Sequence, residues 1–175
     1  MKILIIGPLG AGKSSLAYEV NKRCGIPRLN LDEICRDTAQ NGAYRSIDDQ
    51  QKILNDFLAR NASWVAEGCQ KFLYSQLTPD LVVDMRIGRM VAIFRFTRRF
   101  YHAKKLIGKH VSPDLPVQAY HYRKITPAKI MEYDKINRQI NAEIADFLQC
   151  ATVPVMRCRQ RTDYSQIFEY ITRAK

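Results

Sequence analysis

A chain of 175 residues with 46 % hydrophobic content is long enough to build one domain around its own core, and no apolar run in it reaches the length of a membrane span. Its five cysteines, Cys24, Cys35, Cys69, Cys150 and Cys158, are odd in number, scattered and never spaced as C-x-x-C; that excludes a disulfide framework and a zinc site and points to free thiols in a reducing cytoplasm. The net charge of +11 is concentrated, because between Arg86 and Lys129 eleven Lys or Arg stand against Asp114 alone, a local +10, so one segment expects anions. No signal-peptide pattern occupies the start of the chain, and no repeat, low-complexity tract or linker divides it.

In chain order, Lys2–Gly7 reads as a first strand, with Ile3-Leu4-Ile5-Ile6 buried. Three glycines interrupt the run at once, and their spacing Gly7-x4-Gly12-Lys13-Ser14 fits the Walker A pattern, G-x-x-x-x-G-K-[ST]. In that pattern the backbone amides turn inward around a phosphate, and glycines leave room for its oxygens. The loop Gly7-Pro8-Leu9-Gly10-Ala11-Gly12-Lys13-Ser14-Ser15 is thus a candidate ATP site. Lys13 supplies a flexible charge for the outer phosphates and Ser14 a hydroxyl ligand for Mg²⁺. A helix starting at Lys13 aims its positive end at the anion. Leu16, Ala17, Val20 and Cys24 form its apolar face, and Gly25 ends it.

Arg28–Asp32 reads as a short second strand. Ser46 caps a helix reaching about Arg60, with Asp49 as capping-box partner and Ile53, Leu54, Phe57 and Leu58 as the buried face. Ser63–Glu67 is the third strand, with Trp64 in the core, and Leu81–Met85 the fourth, after the Thr78-Pro79-Asp80 turn. A helix runs from about Gly88 to Lys105, then an irregular stretch holds Gly108, Pro113 and Pro116. Thr126-Pro127 opens a long helix whose apolar period is Ile130, Tyr133, Ile136, Ile140, Ile144, Phe147 and Leu148. Thr152–Met156 is a fifth strand, placed at a sheet edge by Pro154, and Tyr164–Thr172 is the closing helix. Strands alternating with helices predict an α/β fold with a parallel sheet covered on both faces.

The phosphate loop, "IPRLNLDE" after the first helix, "SWVAEGC" ending the third strand and "FRFTRRF" before an irregular segment together resemble the adenylate-kinase-like branch of P-loop nucleoside monophosphate kinases. Within that branch the chain is similar to small bacterial kinases called DNA topology modulation proteins, which have "HLD" and "WIIDGNY" segments at corresponding places. The resemblance covers the whole chain. It implies one three-layer P-loop kinase domain over 1–175, a five-stranded parallel sheet in order 2-3-1-4-5, ATP and Mg²⁺, and a basic lid over about 95–125. By the same resemblance Glu67 serves the metal side, through water, and Asp32 the acceptor side. Arg95 and Arg99, four residues apart, match the arginine pair that covers the nucleotide and neutralises the transferring phosphoryl group. Arg123 and Arg138 are candidates for contacting the acceptor from the far side of the lid.

Other readings of the same residues remain open. Asp32 precedes Glu33-Ile34 and can cap a helix; Glu67 can be solvated; Arg95, Arg98, Arg99, His102 and Lys105 can be an ordinary basic face. His102, His110 and His121 fit no common zinc spacing. The chain also departs from adenylate kinases at Glu67-Gly68-Cys69-Gln70-Lys71, which lacks the arginine that grips a monophosphate, so AMP is not implied as acceptor. Two function classes follow. One is a cytoplasmic ATP-dependent phosphotransferase acting on a small nucleotide or metabolite, with weak, nonspecific nucleic-acid affinity and no membrane partner. The other is a nucleic-acid-associated protein in which ATP binding is regulatory, with Phe94, Phe96, Phe100, Tyr101, Tyr120 and Tyr122 interleaved among the cations to stack bases.

Overall fold

The computed structural model describes residues 1–37, 43–106, 126–159 and 161–174, and over 99–106 the backbone alone. The chain folds as strand β1 (Lys2–Ile6), helix α1 (Lys13–Cys24), β2 (Arg28–Asn30), α2 (Leu31–Ile34), β3 (Arg36–Asp37), β4 (Ala43–Tyr44), α3 (Ile47–Arg60), β5 (Trp64–Gly68), α4 (Lys71–Tyr74), β6 (Leu81–Met85), α5 (Arg89–Leu106), α6 (Pro127–Gln149), β7 (Val155–Cys158) and α7 (Tyr164–Arg173). Five strands form one parallel sheet in the order β2-β5-β1-β6-β7; β3 and β4 pair antiparallel as a separate hairpin. The expected label order 2-3-1-4-5 is corrected to this one. The hairpin strands, two residues each, are too short to leave an alternating pattern in the sequence, yet they shift the numbering of every later strand.

Alternation along β1 explains why the sheet is covered twice. Ile3 and Ile5 point to one face, where Val65, Val83 and Met85 meet Leu16, Ala17 and Val20 of α1 and Ile167 and Ile171 of α7. Leu4 and Ile6 point to the other, where Ala66 and Val82 meet Leu31, Leu54, Leu73 and, from α6, Ile140 and Ile144. Trp64 is in this second core. A third, smaller cluster of Ala92, Phe96 and Tyr133 joins α5 to α6. Among the described residues no helix is long and apolar enough to cross a membrane.

Several expected boundaries move. The second strand ends at Asn30, because the Asn30 side chain accepts the N–H groups of Asp32 and Glu33 and starts α2 there. Asp32 therefore sits in the first turn of a helix capped by its neighbour, and it is not itself the cap. Ser46 does cap α3, accepting from the Asp49 N–H at 3.1 Å. Of the apolar face assigned to that helix only Leu54 is fully buried, beside Gln50; Ile53 is exposed and Phe57 and Leu58 are half-buried against the core. The fifth strand begins at Val155, after Pro154, whose carbonyl accepts from the Val82 N–H at 3.0 Å; β7 pairs with β6 alone and is a sheet edge. The proposed lid begins within α5, and the rest of it, 107–125, lies outside the described residues, as do the structural readings placed on Gly108, His110, Pro113, Pro116, His121 and Arg123.

Candidate active site

Parallel strands open their carboxyl ends to one edge of the sheet, and in that crevice α/β proteins bind ligands. Three neighbouring strands end there with chemistry. The central strand β1 runs into Gly7; in register beside it stand Glu67 and Gly68 of β5 and Asp84 of β6. The loop from Gly7 to Gly12 then turns into α1.

The loop is shaped by its carbonyl groups. Lys13, only 6 % exposed, donates its Nζ to the carbonyls of Gly7 at 2.9 Å and Pro8 at 3.1 Å. The Tyr133 hydroxyl donates to the carbonyl of Leu9 at 2.7 Å, and Arg95 Nη1 donates to those of Gly10 at 3.0 Å and Ala11 at 3.4 Å. The Gly12 carbonyl accepts from Leu16 as the first bond of α1. Six consecutive carbonyls are thus engaged, and the first amides of α1, which have no intrahelical acceptors, face outward from the helix end. A helix end with free amides of this kind is suited to an anion. Two glycines are required by geometry: Gly10 has φ 83° and Gly12 φ 99°, in the left-handed region. At Gly7 a Cβ would lie 2.5 Å from the Met85 carbonyl, so only glycine lets β1 and β6 stay paired as the chain turns.

On the α1 face of the sheet, Glu67 is 1 % exposed and accepts from Arg28 Nη2 at 2.9 Å. Burial, as the chief cause, pushes its carboxyl above the usual range, opposed by the Arg28 hydrogen bond and the nearby Lys13 charge. The sequence expectation of a carboxylate overhanging the loop is corrected in one respect: Glu67 is enclosed and ion-paired, because β5 is an interior strand. Ser14 is exposed at the start of α1. A serine hydroxyl and a carboxylate are hard oxygen donors of the kind Mg²⁺ accepts, and Mg²⁺ usually keeps several waters and phosphate oxygens, so the chemistry of this small donor set fits it. Among the described residues no cluster of three or more His, Cys, Asp or Glu is placed to hold a metal.

Beside the loop lies a cleft of about 490 Å³, lined by Leu9, Asp32, Arg36, Tyr44, Gln70 and Phe72 among others. Asp32 faces it from α2, and its Oδ1 accepts from the Cys69 N–H at 3.4 Å. Burial and the Asp32 charge push the Cys69 thiol up to about 12, so it is inert as a nucleophile near neutral pH. Arg36 stacks on the Tyr44 ring at 4.4 Å and donates to its hydroxyl at 3.0 Å, which sets the hairpin as one wall. Phe72, half-exposed on α4, is another.

Of the sequence candidates, the structure brings together Gly7 to Ser15, Asp32, Glu67 and Arg95. Arg138 is not among them: one residue beyond Asn137 it turns about 100° off the buried stripe of α6, and its guanidinium lies in solvent 3.5 Å from Asp134. The side chain of Arg99 and all of Arg123 lie outside the described residues. Phe96 is withdrawn as a base-stacking platform, since it is buried with its ring on Tyr133, centroids 4.1 Å apart. Four residues were missed. Asp84 ends the aliphatic run Leu81-Val82-Val83, a signal the sequence did carry; it is fully buried, with Oδ2 2.7 Å from Arg86 Nε and Oδ1 without a hydrogen-bond partner among the described residues. Tyr133 was assigned to core packing alone. Asn137 falls on the apolar stripe between Tyr133 and Ile140, and a polar residue on such a stripe is itself a signal. Arg28 carried none.

No protein-family model matches the chain. A stretch of 53 residues, 30 % of the chain, is 28 % identical to an adenylate kinase of Mycolicibacterium paratuberculosis (strain ATCC BAA-968 / K-10) and spans 29 % of that protein's length. Among solved structures, deoxyadenosine kinase from M. mycoides with bound dATP superposes with TM-score 0.53 at 14 % identity, covering 98 % of this chain and 100 % of that one. The same enzyme with bound dCTP gives 0.50 at 14 % identity, covering 98 % and 99 %. At that identity the likeness establishes the fold alone: an α/β domain with a five-stranded parallel sheet, as in those structures.

Proposed function

We propose that this chain is an ATP-dependent phosphotransferase that moves the terminal phosphoryl group of ATP to a small nucleotide or related metabolite. The observation that carries this reading is the adjacency of two sites. The phosphate loop and the cleft at Asp32 share Leu9, whose backbone groups are held within the loop and which also lines the cleft. A donor phosphate and an acceptor group can therefore meet over one residue.

Lys13 and Arg95 supply positive charge where phosphoryl transfer spreads negative charge over several oxygens. Asp32 orients the acceptor and takes its proton if the acceptor is a hydroxyl. Ser14, and Glu67 through water, would hold Mg²⁺, which would supply positive charge against the outer phosphates. Arg99 and Arg123 belong to the same proposal as cations of the lid. The adenylate kinase and deoxyadenosine kinase likenesses support a nucleotide-sized acceptor, and Gln70, Tyr44 and Phe72 give the cleft a polar and aromatic lining suited to one.

The test is a screen of nucleosides, nucleoside monophosphates and small phosphorylated metabolites for acceptor-dependent ADP release from ATP-Mg²⁺. Release stimulated by one acceptor class, and abolished in Lys13→Ala, supports the reading. ATP binding without ADP release for any acceptor, together with tight, salt-resistant single-stranded DNA binding that ATP-Mg²⁺ does not displace, would replace it with the nucleic-acid-associated function.

A further inference from the structure

Helix α6 reaches the phosphate loop with two side chains one turn apart, and both take hold of Leu9. The Leu9 N–H donates to Asn137 Oδ1 at 2.8 Å. The Leu9 carbonyl accepts from the Tyr133 hydroxyl at 2.7 Å and, more distantly, from Asn137 Nδ2 at 3.4 Å. Both residues are buried, Tyr133 6 % and Asn137 8 % exposed, and neither hydrogen bond closes an element of secondary structure. They fix a loop peptide from outside.

We infer that Tyr133 and Asn137 are positioning residues of the phosphate loop: by anchoring both backbone groups of Leu9 to α6 they aim the Gly10 N–H into the anion cradle and set the loop against the acceptor cleft. The inference rests on the phosphotransferase reading for its functional meaning. Its geometry follows from the planar trans peptide. The Leu9 carbonyl and the Gly10 N–H belong to one rigid unit and point in opposite directions, so drawing the carbonyl toward α6 turns the amide away from it. Arg95 acts alike on a later unit, since its bond to the Ala11 carbonyl turns the Gly12 amide away from α5; the Ala11 N–H is taken by the Pro8 carbonyl at 3.2 Å.

Two further observations make Tyr133 a positioning group and more than core filling. Its hydroxyl would stand 2.8 Å from a Cβ built on Gly10, so loop and hydroxyl are in direct apposition. Its ring is already fixed by the stack on Phe96, so the hydroxyl is delivered from a rigid mount. The same helix also lines the acceptor cleft, through Ile136, Gln139, Ile140 and Glu143, and Leu9 lines the same cleft. One helix thereby holds the donor loop and forms an acceptor wall. A preset loop does not have to reorganise as charge builds up, and that is how fixed amides become effective at stabilising phosphate oxygens.

The test uses Tyr133→Phe, which keeps the ring and its stack, and Asn137→Ala, with Ile144→Val as control on the buried face of the same helix. Binding of Mg²⁺-tripolyphosphate, measured by calorimetry, reads the loop without requiring catalysis. Losing one neutral hydrogen bond weakens it about 3- to 10-fold in Tyr133→Phe, and losing the Leu9 N–H acceptor weakens it about 10-fold or more in Asn137→Ala. In turnover, KM for ATP rises in step while KM for the acceptor changes less than about twofold, a split that general destabilisation does not produce. Ile144→Val lowers thermal stability and leaves tripolyphosphate affinity at the wild-type value. Affinities of Tyr133→Phe and Asn137→Ala both within twofold of wild type overturn the inference, as does an equal loss in Ile144→Val. Wild-type protein that binds tripolyphosphate with these variant effects, yet releases no ADP with any acceptor, sustains the positioning role and removes the phosphotransferase reading. Wild-type protein that does not bind tripolyphosphate removes both.

Discussion

Gly10→Ala puts the loop geometry under direct load. Gly10 has φ 83°, and a non-glycine residue held in the left-handed region costs about 1–2 kcal/mol. The new methyl would also lie 2.8 Å from the Tyr133 hydroxyl, closer than real Cβ contacts come, so the hydroxyl must leave its 2.7 Å bond to the Leu9 carbonyl. The Tyr133 ring cannot swing away freely, because it is buried and stacked on Phe96. Forfeiting that bond adds about 1 kcal/mol. A total of about 2–3 kcal/mol in a domain of this size lowers the midpoint of thermal unfolding by roughly 5–10 °C. The sharper measurement is a cycle with Tyr133→Phe by urea denaturation. Removing the hydroxyl alone costs about 1 kcal/mol, but in the double variant the same bond cannot be lost twice and the methyl has room. The double variant should therefore be more stable than the sum of the two singles by about 1 kcal/mol. Additivity within about 0.3 kcal/mol, or a Gly10→Ala protein as stable as wild type, refutes the apposition of loop and hydroxyl.

The remaining expectations concern charge and reactivity. Lys13→Ala should lower turnover by about 10²-fold or more, and, because Nζ also bonds the Gly7 and Pro8 carbonyls, should lower the unfolding midpoint by a few degrees too; a folded variant with near-normal turnover refutes the assignment. Asp32→Asn should reduce turnover far more than ATP affinity, as read by steady-state kinetics beside calorimetry. Glu67→Gln should lose activity yet be at least as stable as wild type at neutral pH. The folded protein holds the Glu67 proton to higher pH than the unfolded chain, so this group's contribution is fully present below the unfolded value near 4.5 and is lost as pH rises through the folded one. A Glu67→Gln protein less stable than wild type at pH 7 would mean that the Arg28 pair outweighs burial. In alkylation at pH 8 followed by peptide mapping, exposed Cys150 should react before Cys69, whose thiol is held near 12; labelling of Cys69 ahead of Cys150 contradicts its placement beside Asp32.

The strands, the long helices and the phosphate loop were legible because each rests on short-range pattern: a continuous apolar run before Gly7, apolar residues at helical spacing in α1 and α6, a proline at the head of α6. The two-residue strands of the hairpin had no such pattern to offer. The position of Asp32 was misjudged by one element, since Asn30 and Asp32 compete for the same capping role and spacing alone does not say which wins. Arg28 opposite Glu67 depends on β2 lying beside β5, a pairing between segments almost forty residues apart. The helix period that places Ile140 and Ile144 inward places Arg138, a candidate for reaching the acceptor from the far side of the lid, outward into solvent.

What the sequence motif could not convey is that the loop is incomplete by itself. Gly7 to Ser14 supply amides and conformational freedom, but freedom alone leaves many loop shapes of similar energy. Asn137 of α6 accepts the Leu9 N–H, and the single shape is further selected by side-chain donors to the carbonyls: Lys13 from within the loop, Arg95 from α5 and Tyr133 from α6. Each occupies a carbonyl that would otherwise compete to turn inward, where it would repel a phosphate. Because α5 and α6 carry these donors, residues about eighty to one hundred and thirty positions downstream decide whether the N-terminal motif can bind an anion. A phosphate-loop motif therefore specifies the chemistry a chain can attempt, and the helices that hold its carbonyls determine whether that chemistry is set up before the ligand arrives.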